Sequence, residues 1–545
     1  MLGGDGLVIP TILVNGQALD DSYLIVSVDI DREVNRIPTA SVAIAMAGAF
    51  DAQAILLGGG PFAPAAQVQI KLRQGDIEAK VFEGLVTGIG VRGRGGAPVV
   101  EVTLKDKAIR LNGARQNRIN IEMTDAEAIR STVTAHGLSL ADAPGTQPTH
   151  PILVQYDATD WDFILARADA QALVVVVVDG ALSLKEMAAD GAATHSFTYG
   201  IDEISDFQLD LDMTRQRPKV GGSAWDSQNL GATAIANAEA PTLSQGGSGI
   251  DGAAHDLALG DERLVHMVPM LGAEVKGWTT GRLTRQRLAL VRGRIAVPLV
   301  ADLALMTLIS LKGFGDRFDG RALVTGLRHR IDAQGFGTEI QFGLSPEPFG
   351  RTPDIADAPA HGLLPPISGL QLGIVSSTDN DPDGEARVKV KVPAIASDPA
   401  SELWARIATP DAGADRGICF LPEVADEVVV GFLDNDPRHP VVLGRLHGSK
   451  NPPPGDFKDG KKKGILTKSG IKITMVEASN PSITIETKAG RKLVLDDDGK
   501  KVTLADSDGN TISFADGGVT IKSAKDLKIE ADGAIKIKGS TIDLN

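Results

Sequence analysis

From Ile465 to Asn545 the chain is a run of short stretches in which two large apolar residues alternate with polar ones, each closed by a small polar turn. The pairs are Ile483/Ile485, Leu493/Leu495, Val502/Leu504, Ile512/Phe514, Val519/Ile521, Leu527/Ile529, Ile535/Ile537 and Ile542/Leu544. Alternation puts both members of a pair on one face of a strand. The second members recur every seven to ten residues, a period of stacked strands and not of helices. No helix pattern or second sheet is read beside these stretches to cover the apolar face.

A single-chain β-helix must turn several corners per rung, and seven to ten residues are too few for that. Three copies can instead each supply one face of a triangular prism, with the apolar pairs meeting on the axis. Each large apolar side chain buried this way is worth about 1.5 to 3 kcal/mol, and sixteen such positions per chain outweigh the ordering entropy of the tail. The expectation for 465–545 is therefore a homotrimeric, intertwined β-helix, or β-prism, needle. Acidic and basic residues balance within it, so it is neither a polyelectrolyte nor a basic membrane-seeking arm.

Upstream the chain is also mainly β. At 545 residues and 43% hydrophobic content it can build several cores. Residues 7–110 carry strand stretches such as "YLIVSVDID" and "PVVEVTLKD" separated by turn residues. "TDAEAIRSTVTAHGL" begins with a capping box, Thr124 with Glu127, and a second helix is expected over 160–171. Asp179-Gly180 marks a tight hairpin. Residues 226–260 read as a connector, 273–291 as a helix, and 294–344 as strands, with "IAVPLVADLALMTLISL" as buried sheet. These features predict tandem β-barrel hub domains with a few helices over 1–357. Short strands then suggest a Greek-key barrel such as an OB-fold over 366–448, a linker at 449–464, and the needle.

The stretch "FLPEVADEVVVGFLDNDPRHPVVLGRLHGSKNPPP", with "VQYDATDWDFILARADAQAL" and "GDRFDGRALVTGLRHRIDAQGFGTEIQFGLSP", resembles VgrG-type spike proteins and the spikes of phage baseplates. The resemblance implies a structural trimer at the tip of a contractile injection system. Its hub would continue the inner tube, its OB-fold would form a collar, and its needle would aid penetration of the target envelope. "ILVNGQALDDSYLIVSVDIDREVNRIPTASVAIA" points toward extracellular, phage-tail-like particles over type VI secretion or a phage. The implied partners are two further copies, the inner tube protein, baseplate components and a PAAR-type tip protein at the C-terminal end, with effector cargo left open. The target membrane would be touched only mechanically. The N-terminus lacks a secretory pattern and no membrane span is visible, so the expectation is assembly in the cytoplasm into a secreted or extracellular particle.

Catalysis, cofactors and metals are not expected. "GIGVRG" (Gly88, Gly90, Gly93) matches a dinucleotide fingerprint but no helix follows, so these read as turn glycines. "DNDPDG" (379–384) imitates a calcium loop but has Val390 where a bidentate Glu is needed, and reads as a solvated turn. Pro437 and Pro440 read as a rigid turn and Gly444 as a site of close backbone approach. His439 and His447 have no accompanying nucleophile, Asp160/Asp162 is an ordinary acidic pair, and Cys419 reads as a buried apolar residue. A net charge of -15 argues against nucleic acid. The alternative, a polysaccharide-acting or carbohydrate-binding β-helix protein, is weakened by an aromatic content of 4%.

Overall fold

In the computed structural model, residues 8–45, 60–74, 77–93, 98–188, 191–239, 257–333, 335–351, 355, 359–395, 402–458 and 460–544 are described. The chain divides into two compact units, 1–357 and 358–545.

In the first unit, strands β1 (Val8–Val14), β2 (Leu24–Glu33), β3 (Thr39–Ala45), β4 (Gln67–Gln74), β5 (Ile77–Arg92) and β6 (Val99–Lys105) precede helices α1 (Asp125–Ala135) and α2 (Asp160–Ala170). After the hairpin β7 (Leu173–Val178) and β8 (Ala181–Glu186) come β9 (Asp206–Leu211), helix α3 (Gly272–Leu288), β10 (Val291–Val297), β11 (Leu308–Lys312), β12 (Gly320–Asp332) and β13 (Gly335–Phe342). One thirteen-stranded sheet contains the order β9-β10-β13-β12-β2-β3-β6-β5-β4-β1, with β11 on β12.

Two sets of five strands in this sheet share one antiparallel arrangement, β2-β3-β6-β5-β4 and β9-β10-β13-β12-β11, joined where β12 pairs with β2. The tetrapeptide Leu-Val-Thr-Gly stands at 85–88 in β5 and again at 323–326 in β12. Both copies carry a bulge at the threonine. Val86 faces Leu104 and Gly88 faces Thr103, just as Val324 faces Phe342 and Gly326 faces Gln341. Each half has its own core, one around Ile30, Val42, Ile70 and Leu104, the other around Ile295, Ile309, Val324 and Phe342.

The helices lie where their caps place them. Thr124 and Glu127 form the reciprocal capping box of α1, and Thr159 caps α2. Asp125, fully buried at the start of α1, accepts hydrogen bonds from Arg167 (2.5 Å) and Gln171 (2.6 Å), with His150 at 3.1 Å. Asp160 is likewise buried, beside His136 (2.7 Å) and Gln155 (2.9 Å), whereas Asp162 closes the cap with Thr159. This acidic pair is thus divided between two structural tasks. At the Asp179-Gly180 turn both residues take positive φ, 52° and 81°, as a two-residue hairpin loop requires.

Three expectations change here. Gly88 and Gly90 lie within the long strand β5 and not in a turn. They fit there because β5 bulges between Val86 and Gly88, and a glycine is tolerated at such a kink. The apolar run 295–311 is sheet only at its two ends; Pro298 cannot donate to a ladder, and Leu299, Val300 and Leu303 reach the core from a loop. Within 226–260, short strands at Gly231–Ala232 and Ala236–Asn237 break the expected connector, while 240–256 lie outside the described residues.

Glu83 ties the sheet together. Its carboxylate accepts from Gln67 (2.6 Å), Gln69 (2.9 Å), Lys107 (2.9 Å) and Lys80 (3.1 Å), and Lys80 also reaches Asp179 in the β7–β8 turn. Burial by itself would raise the Glu83 pKa, but Lys107 and Lys80 overcome it and hold the value at about 2. A carboxylate depressed on folding stabilises fully above its unfolded pKa and loses that contribution as pH falls toward the folded value. Glu83→Gln is therefore expected to cost about 2 kcal/mol at pH 7. The gap from wild type should close between about pH 4.5 and pH 2, as read from urea unfolding midpoints.

Candidate trimerisation surface

The second unit opens with a closed barrel of β14 (Gln371–Ser377), β15 (Val388–Lys391), β16 (Leu403–Ile407), β17 (Glu427–Phe432) and β18 (Pro440–Arg445), in the order β14-β15-β16-β18-β17. Its interior is filled by Val375, Val388, Val390, Val392, Ala405, Val428, Val430 and Val442. Between β17 and β18, Asp434 and Asn435 take left-handed φ, which Asp and Asn accept more readily than other non-glycine residues. Asp436 then accepts from the Arg438 guanidinium (3.0 Å) and backbone N–H (2.9 Å), which lower its pKa to about 2. Pro437 follows in the turn, and Pro440 opens β18 opposite Phe432.

Gly444 serves differently from the expectation. The space where its Cβ would stand is open, and the residue sits beside a bulge at which β18 spends an extra residue, Leu443, between its pairings to Val429 and Val430. Cys419 is exposed, because it lies in an irregular segment outside the barrel wall and not in the core. His439 is exposed in the turn, and His447 Nδ1 stands 3.3 Å from the Asn451 carbonyl. The 379–384 turn is organised by Asp381, whose carboxylate accepts from the backbone of Glu385 (2.7 Å) and Arg387 (3.1 Å).

Seven strands follow as a continuous antiparallel meander: β19 (Lys462–Leu466), β20 (Lys472–Val476), β21 (Ser482–Glu486), β22 (Lys492–Asp496), β23 (Lys501–Ala505), β24 (Thr511–Ala515) and β25 (Gly518–Lys522). The register aligns two columns on one face. One runs Ile465, Ile473, Ile485, Leu493, Leu504, Ile512, Ile521; the other runs Met475, Ile483, Leu495, Val502, Phe514, Val519. The other face carries Thr474, Thr484, Val494, Thr503, Ser513 and Thr520 along its middle, and Lys472, Glu486 and Lys492 pair across strands at its margin. Turn chemistry sets the register: Asp506 receives the N–H groups of Asp508 and Asn510, each at 2.9 Å.

Ten of the sixteen expected needle residues, Ile483 to Ile521, thus stand together on one face. That face is open: Ile483, Ile485, Leu504, Phe514, Val519 and Ile521 are 42% to 60% exposed. Ile465, Ile473 and Met475 extend it and had no place among the expected pairs, and the sheet starts at Lys462, inside the stretch expected to be linker. The other six, Leu527, Ile529, Ile535, Ile537, Ile542 and Leu544, are exposed but belong to no strand. Asn510 Oδ1 accepts from Ala524 N–H (2.9 Å) at the end of β25, and the chain runs on without turning back beside that strand. Among the described residues, the segment 525–544 pairs with no strand.

Comparison with known proteins follows the same division. Residues 4–333 match the family model of the Alg8 N-terminal domain, 371–447 that of the type VI secretion system/phage-baseplate injector OB domain, and 482–545 that of the phage baseplate V C-terminal trimerisation domain. The type VI secretion system spike protein VgrG3 of Vibrio cholerae is 37% identical over 87 residues, covering 15% of this chain and 9% of that protein. Spike protein VgrG2a of Pseudomonas aeruginosa is 33% identical over 133 residues, covering 23% and 15%. This chain therefore spans only a small part of the length of these curated relatives. A tail protein of Neisseria meningitidis has a similar solved structure, with a TM-score of 0.46 at 13% identity, covering 64% of this chain and 99% of that one.

The two faces of the sheet give opposite expectations for neighbouring residues. Leu495→Lys places a charge in each chain's contribution to a shared apolar interior, and is expected to cost about 3 kcal/mol per chain and to dissociate the assembly. Val494→Thr, on the polar face, should stay within about 0.5 kcal/mol of wild type. Gel filtration with light scattering across a urea series reads both, and equal effects would mean that the faces are assigned wrongly.

Proposed function

The chain belongs to the Alg8 N-terminal domain family, whose model spans 4–333, and its later parts match the type VI secretion system/phage-baseplate injector OB domain and the phage baseplate V C-terminal trimerisation domain; from these matches we propose that it is the homotrimeric hub and spike of a contractile injection system. The single observation that carries this reading is the open apolar face of β19–β25, which no part of the described chain covers and which lies in the segment matching a trimerisation domain. In a trimer, three such faces close on a common axis. The unpaired segment 523–544 would then take its backbone partners from neighbouring copies.

In this reading 1–357 form the hub, 366–448 an OB-fold collar, 449–464 the passage between collar and needle, and 465–545 the spike. The duplicated five-strand arrangement supports a ring contact for the hub, since three copies would present six similar units to the inner tube and baseplate. A PAAR-type protein would close the C-terminal end, and cargo would be carried by contact and not by catalysis. The role is mechanical: sheath contraction does the work, and a spike whose strands are all paired has no free edge to peel under load. Assembly would take place in the cytoplasm before the particle is released or fired. Among the described residues, no helix is long and apolar enough to cross a membrane.

The test is placement. With a gold-binding tag fused after Asn545, purified particles imaged by electron microscopy should carry label at one end only, at the tip of the tube. Label along the sheath, or particles that assemble fully without this chain, would overturn the proposal.

A further inference from the structure

The barrel wall of β14–β18 is divided in a way its own fold does not require. On β15 and β16 the outward residues are polar and paired: Lys389 and Lys391 reach Glu402 at 3.7 and 3.5 Å, and Lys389 Nζ stands 5.2 Å over the Trp404 ring. On β14 and β18, and at Leu370 just before β14, large apolar side chains face outward, with Glu427 and the Arg445–Asp426 ion pair at one margin. Leu370, Leu372, Ile374 and Leu443 are 47% to 65% exposed. They form one plate: Leu372 pairs with Val429, and Leu443 and Leu370 converge over Gly431, 3.4 and 3.7 Å from where its Cβ would stand. A β-barrel whose core is already filled gains nothing by presenting such a plate to water.

A second apolar patch lies on the same barrel, in the irregular segment after β16, where Ile418, Phe420, Leu421 and Val424 are 42% to 58% exposed. Two different patches on one body are what a three-fold contact needs, because each copy must offer one surface to the neighbour on one side and a different one to the neighbour on the other. The barrel and the β19–β25 sheet belong to the same compact unit. Copies brought together along that sheet are therefore already adjacent at the barrel.

We infer that the β14–β17–β18 plate is a second contact between copies of this chain, occupied by the Ile418–Leu421 segment of the neighbouring copy. This rests on the trimeric reading of the needle. The contact would continue the needle interface through the collar, and it leaves the salt-bridged half of the barrel facing solvent.

Cys419, the only cysteine of the chain, lies within the docking segment and reports on the contact directly. In the full-length protein at neutral pH, maleimide labelling of Cys419 is expected to be slower than in the urea-unfolded chain by about tenfold or more. Leu372→Glu changes an exposed side chain on the outer wall and leaves the barrel core untouched. It is expected to restore fast labelling while the needle keeps the protein trimeric by light scattering, and dissociation of the trimer by this substitution would equally assign the plate to the interface. Fast labelling of Cys419 in an intact wild-type trimer would overturn the inference, as would unchanged slow labelling in a trimeric Leu372→Glu protein. A wild-type mass of 57.0 kDa would instead overturn the trimeric reading beneath it.

Discussion

The β19–β25 sheet has two columns of large aliphatic side chains on one face and threonines on the other, and the described chain provides nothing to lay against the aliphatic side. Unlike the β14–β18 barrel, these seven strands form an open sheet and enclose no core of their own. The apolar area must be removed from water by other molecules, and at about 1.5 to 3 kcal/mol per buried side chain the gain from doing so is large compared with the marginal stability of a typical domain. The proposed trimer, and with it the proposed needle and collar, rests on that uncovered face.

The two units solve the same problem by different means. The first buries most of its apolar residues internally, in two cores built on one strand order joined through the β12–β2 pair, and leaves Ile119, Ile121, Ile152, Val154 and Tyr156 exposed on a two-stranded sheet. Glu83 and Asp125 are buried in that unit with several partners each. The second unit encloses only its barrel. Its remaining apolar residues lie on surfaces, along the needle face and on the outer barrel wall. A chain that postpones burial until assembly can fold unit by unit and still gain most of its mechanical strength when three copies meet.

Much of this was legible in the sequence wherever a single periodicity governs a stretch. Two-residue alternation placed Ile483 to Ile521 on one face because nothing in a strand competes with it. Thr124 with Glu127 and Asp179-Gly180 were equally direct, each being a local hydrogen-bonding or backbone requirement. The misses are non-local. Ile465, Ile473 and Met475 were hidden by a lysine- and glycine-rich surround that resembles a linker. The Leu-Val-Thr-Gly repeat was present in the sequence, but its two copies are separated by the helices and their connectors, so only the matching bulges expose it. Cys419 was misplaced because its apolar neighbours, Ile418 and Phe420, suggested a core when they mark a surface. The final segment alternates as a strand should, yet alternation cannot say which chain supplies the partner.

The most direct test is the mass of the assembled protein in solution. Sedimentation equilibrium of the full chain at micromolar concentration should give three times 57.0 kDa with no detectable smaller species. A stable species of 57.0 kDa over the same range would mean that the apolar face is covered some other way, and the spike reading would fail with it.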